Sequence, residues 1–282
     1  MGDIYISTLA FKNYTIEEIT KIAKNEGLSI EFSSSFAYDA NLVSGYKKSD
    51  INKMVHNYFP VPEVPFVLNL ASADENIRAA SVKHCIENIY LTKASAAPFF
   101  AAHAGFCVDP KPEELGKKID YRTEFNKQEH LQIFTQSLTE ILMVAEKAEV
   151  KFCFENNVIT KFNMHGNINP LLCCESSEVI AVIRQLNHPN LGFLLDTAHL
   201  KVSCNTLGID RDEQIKQLKP YITAIHHSDN DGLTDTNNKI DNQYWFLKHQ
   251  KGFANIPQVI EVKNLSVPEI KEQISLLQNY GH

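Results

Sequence analysis

The sequence has 282 residues, of which 44% are hydrophobic, and carries 27 Lys and Arg against 34 Asp and Glu. The net charge of −7 and the lack of a basic cluster argue against polyanion binding, so no nucleic acid is expected as a partner. No apolar run approaches the ~20 residues that cross a bilayer, the start MGDIYISTLAF lacks the basic residues of a signal peptide, and the six cysteines form no CxxC pair. We therefore expect a soluble, cytoplasmic protein with reduced, mostly buried thiols and no membrane association.

Strand-like runs alternate with helix-like runs along the whole chain. The first unit is a strand within residues 4–11 and a helix over 15–27, where Thr15 is the predicted N-cap, Glu18 completes a capping box and Gly27 ends the helix. The other predicted strands lie within residues 28–36, 65–72, 97–106, 151–157, 190–200, 221–231 and 257–264. The other predicted helices lie within residues 49–59, 74–95, 125–149, 176–187, 210–219, 243–250 and 266–281.

Eight strand–helix units in strict alternation predict parallel strands that close into an α/β fold, the (β/α)8 or TIM barrel. The length suits one such barrel, so residues 1–282 are predicted to form a single domain. A doubly wound open sheet is the structural rival, but no GxGxxG follows any strand to support a dinucleotide crevice. The three longest connections, residues 104–125, 156–175 and 228–243, are predicted to flank or cover the mouth of the barrel.

Polar, chemically capable side chains stand where the predicted strands end. In a TIM barrel the carboxyl ends of the strands form the face that carries the active site, so residues far apart in sequence converge there. From the fifth strand onwards one such residue follows in each strand-plus-helix unit. The set consists of Glu31, Asn69, His103, Glu155, Asp196, His226 and Glu261.

The two-residue period of a strand predicts which of these side chains point into the barrel. Glu155 lies on the face opposite Phe154, and the same parity turns Asp196 inwards. Of the adjacent pair His226 and His227, only His226 shares the inward face. His227 is expected to face the helix layer or the rim.

Two Glu, one Asp and one His at one end of a barrel predict a site for a divalent metal ion. Four inward polar groups would cost several kcal/mol in repulsion and desolvation unless a cation neutralised them. Glu155, Asp196, His226 and Glu261 are therefore the predicted ligands. A lone acid at such a position often caps the next helix instead, and Asp196 by itself can do that.

The remaining polar residues have structural alternatives. His103 can contact substrate or form a hydrogen bond at the pocket wall, and Glu31 can be a buried carboxylate bonded to a neighbouring Lys or Tyr. For Asn69 a structural amide that ties two strands together is favoured. For His199, three residues after Asp196, support of a ligand or contact with substrate is favoured over binding a second metal.

FENN, LGFLLDTAHL, HHSDNDG and VIEV resemble motifs of the xylose isomerase-like TIM barrels, also called the family-2 AP endonuclease superfamily. NLASADENIRAASVKHCIENI followed by AAHAGF is similar to the third and fourth units of that superfamily, including its endonuclease IV branch. The resemblance covers nearly the whole chain. It implies that Glu155, Asp196, His226 and Glu261 take the places of the metal ligands of the sugar isomerases and epimerases, the two Glu also being acid–base groups. The candidate substrate contacts are His103, His199, Glu31, Asn69 and Asp229 of the H-x-x-D motif.

The endonuclease branch holds three zinc ions and uses extra histidines, one before the Asn-Leu of the third strand and one in a D-x-H motif after the seventh. This chain has Glu63 at the first place and reads Asp235, Thr236, Asn237 at the second. Because Asn is a poor zinc ligand compared with imidazole, one ion is expected rather than three. Together with the acidic net charge, this argues against DNA repair.

The expected function is a metal-dependent isomerase or epimerase of a sugar or sugar derivative, with one Mn²⁺, Co²⁺ or Zn²⁺ ion. Glu155 and Glu261 are expected to remove and return a proton beside a carbonyl, through an enediolate. The partner is a small-molecule sugar, favoured as unphosphorylated because no Arg or Lys cluster is visible, and a homo-oligomer is left open. The alternatives are an abasic-site nuclease, a polyol dehydratase and a non-catalytic sugar-binding or partner-binding barrel.

Overall fold

The computed structural model describes residues 2–281, in which eight parallel strands form a barrel. Hydrogen bonds join the strands in the order β3-β2-β1-β8-β7-β6-β5-β4, and a parallel bridge between His56 and Ala101 connects β3 to β4. The predicted α/β TIM barrel is thus confirmed. The strands are β1 (Ile4–Ser7), β2 (Ser29–Phe32), β3 (Lys53–Val55), β4 (Phe100–His103), β5 (Phe152–Glu155), β6 (Leu191–Asp196), β7 (Ile222–His227) and β8 (Gln258–Ile260).

The described residues contain nine α-helices, which connect and cover the strands. The first helix begins and ends as predicted: Thr15 and Glu18 form a capping box, and Gly27 adopts the left-handed conformation at φ 66°. The helices are α1 (Ile16–Glu26), α2 (Leu42–Lys48), α3 (Glu75–Ala94), α4 (Lys127–Ala148), α5 (Ser176–Leu186), α6 (Thr197–Leu207), α7 (Arg211–Leu218), α8 (Leu247–Gln250) and α9 (Val267–Gly281). None of them combines the length and the low polarity that a membrane-spanning helix needs.

The second and third units differ from the prediction. Residues 49–59, predicted as a helix, contain β3, and residues 65–72, predicted as the third strand, lie in an irregular connection between β3 and α3. The prediction was wrong because β3 has only three residues, whereas the connection carries the longer apolar run. Leu68 and Leu70 of that run are buried in the main core without belonging to a strand. The sequence prediction also missed α6, which starts directly after β6.

Alternate side chains along the strands point to two different cores, one outside and one inside the barrel. The larger core lies between the strands and the helices and contains Phe154 and Leu195. A smaller cluster fills the barrel itself: Tyr5, Met54, Phe99, Ala101, Cys153, Leu194, Ala224 and Val259. Six members of this interior cluster are followed two positions later by a His, Asp or Glu, and the predicted inward parity is confirmed. These polar residues are His56, His103, Glu155, Asp196, His226 and Glu261.

The six cysteines are free and buried, as predicted. Burial raises the pKa of each thiol above its ordinary value. Because the thiolate is the reactive form, these groups are inert packing residues, and the chemistry must be sought among the carboxylates and imidazoles.

Candidate metal centre

Three of the four predicted metal ligands meet at the carboxyl ends of β5, β6 and β7. One ligand atom each from Glu155, Asp196 and His226 lies within 4.8 Å of the others. Asp196 and His226 are register partners on neighbouring strands, and all three residues are fully buried. Because Mn²⁺, Co²⁺ and Zn²⁺ bond oxygen and nitrogen at about 2.0–2.2 Å, small side-chain movements suffice for the three to share one ion.

Three of the four carboxylate oxygens of this group lack hydrogen-bond donors within the described chain. Both oxygens of Glu155 and Oδ2 of Asp196 are buried and make no hydrogen bond to any other residue in 2–281. The His56 and His199 nitrogens come within 3.3 Å of Glu155 but not in hydrogen-bond geometry. Burial raises the pKa of Asp196 to about 7 and that of Glu155 well above its ordinary value. Buried, unpaired oxygens of this kind fit a divalent cation, which would neutralise them.

His226 lies between two further carboxylates. Its Nε2 is 3.1 Å from Glu31 Oε1, and its Nδ1 is 3.3 Å from Glu261 Oε2. Burial lowers the pKa of His226, but the two carboxylates outweigh that effect and raise the pKa well above its usual value. Glu261 lies outside the group of three ligand atoms described above, beside His226 and on the wall of a cavity. Glu31 is fully buried and belongs to a second group of ligand-type atoms, with His226 and His56.

Three further imidazoles surround Glu155. His56 Nε2 lies 3.3 Å and His103 Nδ1 3.6 Å from Glu155 Oε2, and His199 Nδ1 lies 3.3 Å from Oε1. His56, His103 and Glu155 form a third group with the spacing of metal ligands. Burial lowers the pKa of His103 to about 3 and that of His56 well below its ordinary value, so both are neutral imidazoles.

Asp196 is both a helix cap and a member of the ligand group. Its Oδ1 accepts a hydrogen bond of 2.7 Å from the backbone N–H of His199 and so caps α6, while Oδ2 stays free of hydrogen bonds within the described chain. His199 Nδ1 is 2.9 Å from the carbonyl oxygen of Asn156, and its Nε2 lies 3.3 Å from Asp235 Oδ2. Asp196 can therefore cap α6 through Oδ1 and still offer Oδ2 to a metal ion.

The imidazole contributed by the third strand is His56, which the sequence analysis missed. Glu63, assigned to the corresponding place, is exposed and is not among the described residues that line the cavity. The assignment was wrong because the true β3 lies 12 residues before the predicted one. The available signal was the two-residue alternation of Met54 and His56. One of the two reasons for expecting a single ion is thereby removed, while Asn237 in place of histidine remains.

Two of the residues predicted to contact substrate, Asn69 and Asp229, instead form hydrogen bonds within the protein. Asn69 is fully buried; its Nδ2 donates to two backbone carbonyls and to Asp109, and its Oδ1 accepts from two backbone amides. Asp229 accepts a hydrogen bond of 2.6 Å from Lys201 and another from a backbone amide. Neither is among the residues that line the cavity in the described chain. The structure therefore does not bring Asn69 or Asp229 to the candidate site.

His227 points away from the centre, as predicted. Its Nδ1 lies 3.1 Å from the hydroxyl of Tyr244 and its Nε2 3.0 Å from Oε1 of Gln258. Both ring nitrogens are thus engaged in the layer between the strands and the covering segments.

A cavity of about 350 Å³ opens above the cluster. His103, His199 and Glu261 lie on its wall, together with residues of the predicted long connections that follow β4, β5 and β7. The connection after β3, which was not predicted, also contributes to the wall. Two lysines, Lys117 and Lys263, line the same cavity. The site is therefore a carboxylate and imidazole cluster at the base of a small pocket with cationic groups on its wall.

The comparisons with known proteins agree with this architecture. A family model described as "Xylose isomerase-like TIM barrel" matches residues 7–280. No curated protein matches the chain by sequence. Similar solved structures include a D-tagatose 3-epimerase-like protein, which is 19% identical with a TM-score of 0.73 over 99% of this chain and 96% of that one.

Two other solved structures are similar over their full lengths. A protein from Thermus thermophilus, soaked with ZnCl2, is 17% identical with a TM-score of 0.68, over 99% of this chain and 97% of that one. The D-psicose 3-epimerase of Clostridium cellulolyticum, with D-tagatose, is 14% identical with a TM-score of 0.65, over 99% and 98%. At these identities the likeness shows a shared fold.

Proposed function

We propose that this chain, which belongs to the xylose isomerase-like TIM barrel family, is a divalent-metal-dependent isomerase or epimerase of a sugar or sugar derivative. The observation that carries the proposal is the group formed by Glu155, Asp196 and His226, in which three of the four carboxylate oxygens are buried and have no hydrogen-bond partner within the described chain. That sugar epimerases share the fold supports the substrate class.

Glu155, Asp196 and His226 would hold the ion, and Glu261 would complete the set by moving from His226 towards it. Oxygen-rich ligation with one imidazole suits Mn²⁺, Co²⁺ or Zn²⁺. Such an ion, when bound, supplies Lewis-acid polarisation of the substrate carbonyl. The neutral pair His56 and His103 adds no positive charge to the site.

Glu155 and Glu261 are the proposed acid–base pair. One carboxylate removes the proton from the carbon beside the carbonyl and leaves an enediolate, and the other returns a proton. Return to the opposite face of the same carbon inverts its configuration, which is epimerisation. Return to the neighbouring carbon exchanges aldose for ketose. The cavity of about 350 Å³ suits a small molecule, since it lies at the lower end of the range of ~300–1,000 Å³ for ligand pockets.

The test is solvent exchange in deuterium oxide. Metal-free protein is reconstituted with Mn²⁺, Co²⁺ or Zn²⁺ and incubated with a panel of ketoses and aldoses, with and without phosphate, and the hydrogens beside the carbonyl are followed by NMR. We expect exchange that requires the metal. Turnover without exchange would indicate a hydride shift, and loss of water from a cyclic polyol would indicate the dehydratase alternative on the same barrel.

A second candidate is a metal-dependent abasic-site nuclease of the endonuclease IV type. The observation that favours it is the third donor group, formed by His56, His103 and Glu155. Together with the nearby His199 and Asp235, it offers more ligands than a single-ion site needs. Against it stand Asn237 and the net charge of −7. Titration to two or three zinc ions per chain together with cleavage of abasic DNA would favour this candidate, whereas one ion per chain and sugar exchange favour the first.

A further inference from the structure

Glu31, near the carboxyl end of β2, is a fully buried carboxylate that the proposed mechanism does not use. Its Oε1 lies 3.1 Å from Nε2 of His226, which belongs to β7, three strands away in the barrel. Its Oε2 makes no hydrogen bond within residues 2–281, and Glu31 is not among the described residues that line the cavity. The carboxylate is therefore placed to act on His226 rather than on a substrate.

The two ring nitrogens of His226 have different neighbours. Nδ1 lies 3.3 Å from Oε2 of Glu261, which is a proposed metal ligand and lines the cavity, whereas Nε2 lies beside Glu31 in the barrel interior. A neutral imidazole binds a metal ion through one nitrogen, and the hydrogen bond that the other nitrogen makes decides which one is free to do so. The neighbouring ligand Glu261 therefore indicates Nδ1 as the nitrogen on the side of the ion.

We infer that Glu31 is a positioning residue of the metal centre, whose carboxylate accepts the Nε2 proton of His226 and so leaves Nδ1 to bind the ion. The inference rests on the proposed function, because it needs the ion. An ionised carboxylate only accepts hydrogen bonds, so it fits the ring only when Nε2 carries a proton. Such a partner also fixes the orientation of the ring and makes the other nitrogen a stronger ligand.

The adjacent His227 has partners of another kind. Its Nε2 lies 3.0 Å from the side-chain amide oxygen of Gln258, and its Nδ1 lies 3.1 Å from the hydroxyl of Tyr244. An amide and a hydroxyl can each present a donor or an acceptor, so these two groups fit either tautomer of the ring. Of the two buried histidines of β7, His226 is thus the one whose tautomer a carboxylate selects.

The test measures the affinity of metal-free protein for Zn²⁺ by competition with a chromophoric chelator. We expect Glu31→Ala to weaken binding by about 10–100-fold, the usual effect of losing the partner of a metal-bound histidine. Glu31→Gln keeps a neutral acceptor, whose hydrogen bond is weaker, and should weaken binding by about two- to tenfold. Gln258→Ala is the matched control, because it removes the buried Nε2 partner of His227 and should leave the affinity unchanged.

NMR of isotope-labelled histidine rings in the zinc-loaded protein supplies a readout that a loss of stability alone would not change. We expect the ring of wild-type His226 to carry its proton on Nε2 and to bind zinc through Nδ1. In Glu31→Ala we expect the signal of that Nε2 proton to be lost to exchange with water, because its acceptor is gone. The rings of the other histidines report whether the fold is retained.

Zinc bound through Nε2 in the wild type, unchanged affinity in Glu31→Ala, or an equal loss in Gln258→Ala would each overturn the inference. A fall from two bound ions to one in Glu31→Ala would also overturn it, because Glu31 would then be a ligand. Thermal unfolding is measured for every variant, and Glu31→Gln carries the affinity test if the Ala variant does not fold.

The same preparations separate this inference from the proposed function. If the wild type binds none of Mn²⁺, Co²⁺ and Zn²⁺, the inference and the metal-dependent reaction fail together. If zinc binds as expected in wild type and variants but no sugar exchanges its hydrogen, the proposed reaction fails and the role of Glu31 stands.

Discussion

Strands β5–β8 and strands β2–β4 both direct polar side chains to the same end of the barrel, but with different charge. From β5 to the residue that follows β8, these side chains are the carboxylates of Glu155, Asp196 and Glu261 and the imidazole of His226. From β2 to β4 the imidazoles His56 and His103 follow Glu31. The first stretch has the carboxylates that would hold a cation in the proposed site, whereas the second mainly has imidazoles whose pKa values burial lowers. The comparison supports the proposal that ion binding and proton transfer belong to one half of the barrel.

The largest expected effect is on proton transfer. Glu155→Gln or Glu261→Gln should reduce deuterium exchange into the substrate by about 10²–10⁴-fold, because Gln keeps the shape of the side chain but cannot take up a proton. Glu63→Gln is the matched control from the other half of the barrel, since Glu63 is exposed and is not among the described residues on the cavity wall. An equal loss for all three variants at equal metal content would contradict the division between the halves.

The metal content of variants should distinguish the roles of His226 and His227, two adjacent histidines of β7. His226→Ala should lose most of the bound ion because it removes the only imidazole of the proposed set, whereas His227→Ala should keep it, since His227 bonds to Tyr244 and Gln258 outside the barrel interior. Metal content after gel filtration is the measurement. Thermal unfolding of the His227→Ala variant is measured as well, because the substitution leaves Tyr244 and Gln258 without their hydrogen-bond partner and could destabilise the fold. Retention of metal by the His226 variant alone would reverse the assignment.

The two halves also differ in how well the sequence predicts them. β5, β6 and β7 have four to six residues with clear alternation, and each ends in its reactive side chain or next to it, so the parity argument placed Glu155, Asp196 and His226 correctly. β3 has three residues, and a longer apolar run follows it. Periodicity favours the longer run, so the true strand and His56 were missed. The structural role favoured for Asn69 is confirmed, although it ties two connections rather than two strands. Its partners Phe106, Val108 and Asp109 could not be predicted because they lie 37 to 40 residues further along the chain.

Folding stability should distinguish Asn69 from the residues of the cavity. Asn69→Ala leaves the backbone amides of Ala71 and Phe106 without their acceptor. It should lower the free energy of unfolding by about 2–6 kcal/mol, since each of these two buried groups costs about 1–3 kcal/mol when unsatisfied. Asn76→Ala, at an exposed position of α3, should change it by less than about 0.5 kcal/mol. Chemical denaturation measures both. A stable Asn69→Ala variant with a raised KM would instead make Asn69 the substrate contact that the sequence analysis included among its candidates.

The smallest expected effect concerns the imidazoles of the first half. His56→Asn and His103→Asn should retain one ion per chain and reduce deuterium exchange by about tenfold, the lower end of the ~10–100-fold effect of groups that support metal ligands. The physical reason is that both rings pack beside Glu155, while the carboxylates would supply the charge that holds the ion in the proposed site. Zinc stoichiometry of wild type and variants is measured alongside exchange. If the wild type binds two ions and either variant binds one, with exchange lost altogether, the first half of the barrel is a metal site in its own right. The nuclease candidate then gains its strongest support, and cleavage of abasic DNA by the same preparations decides between the two.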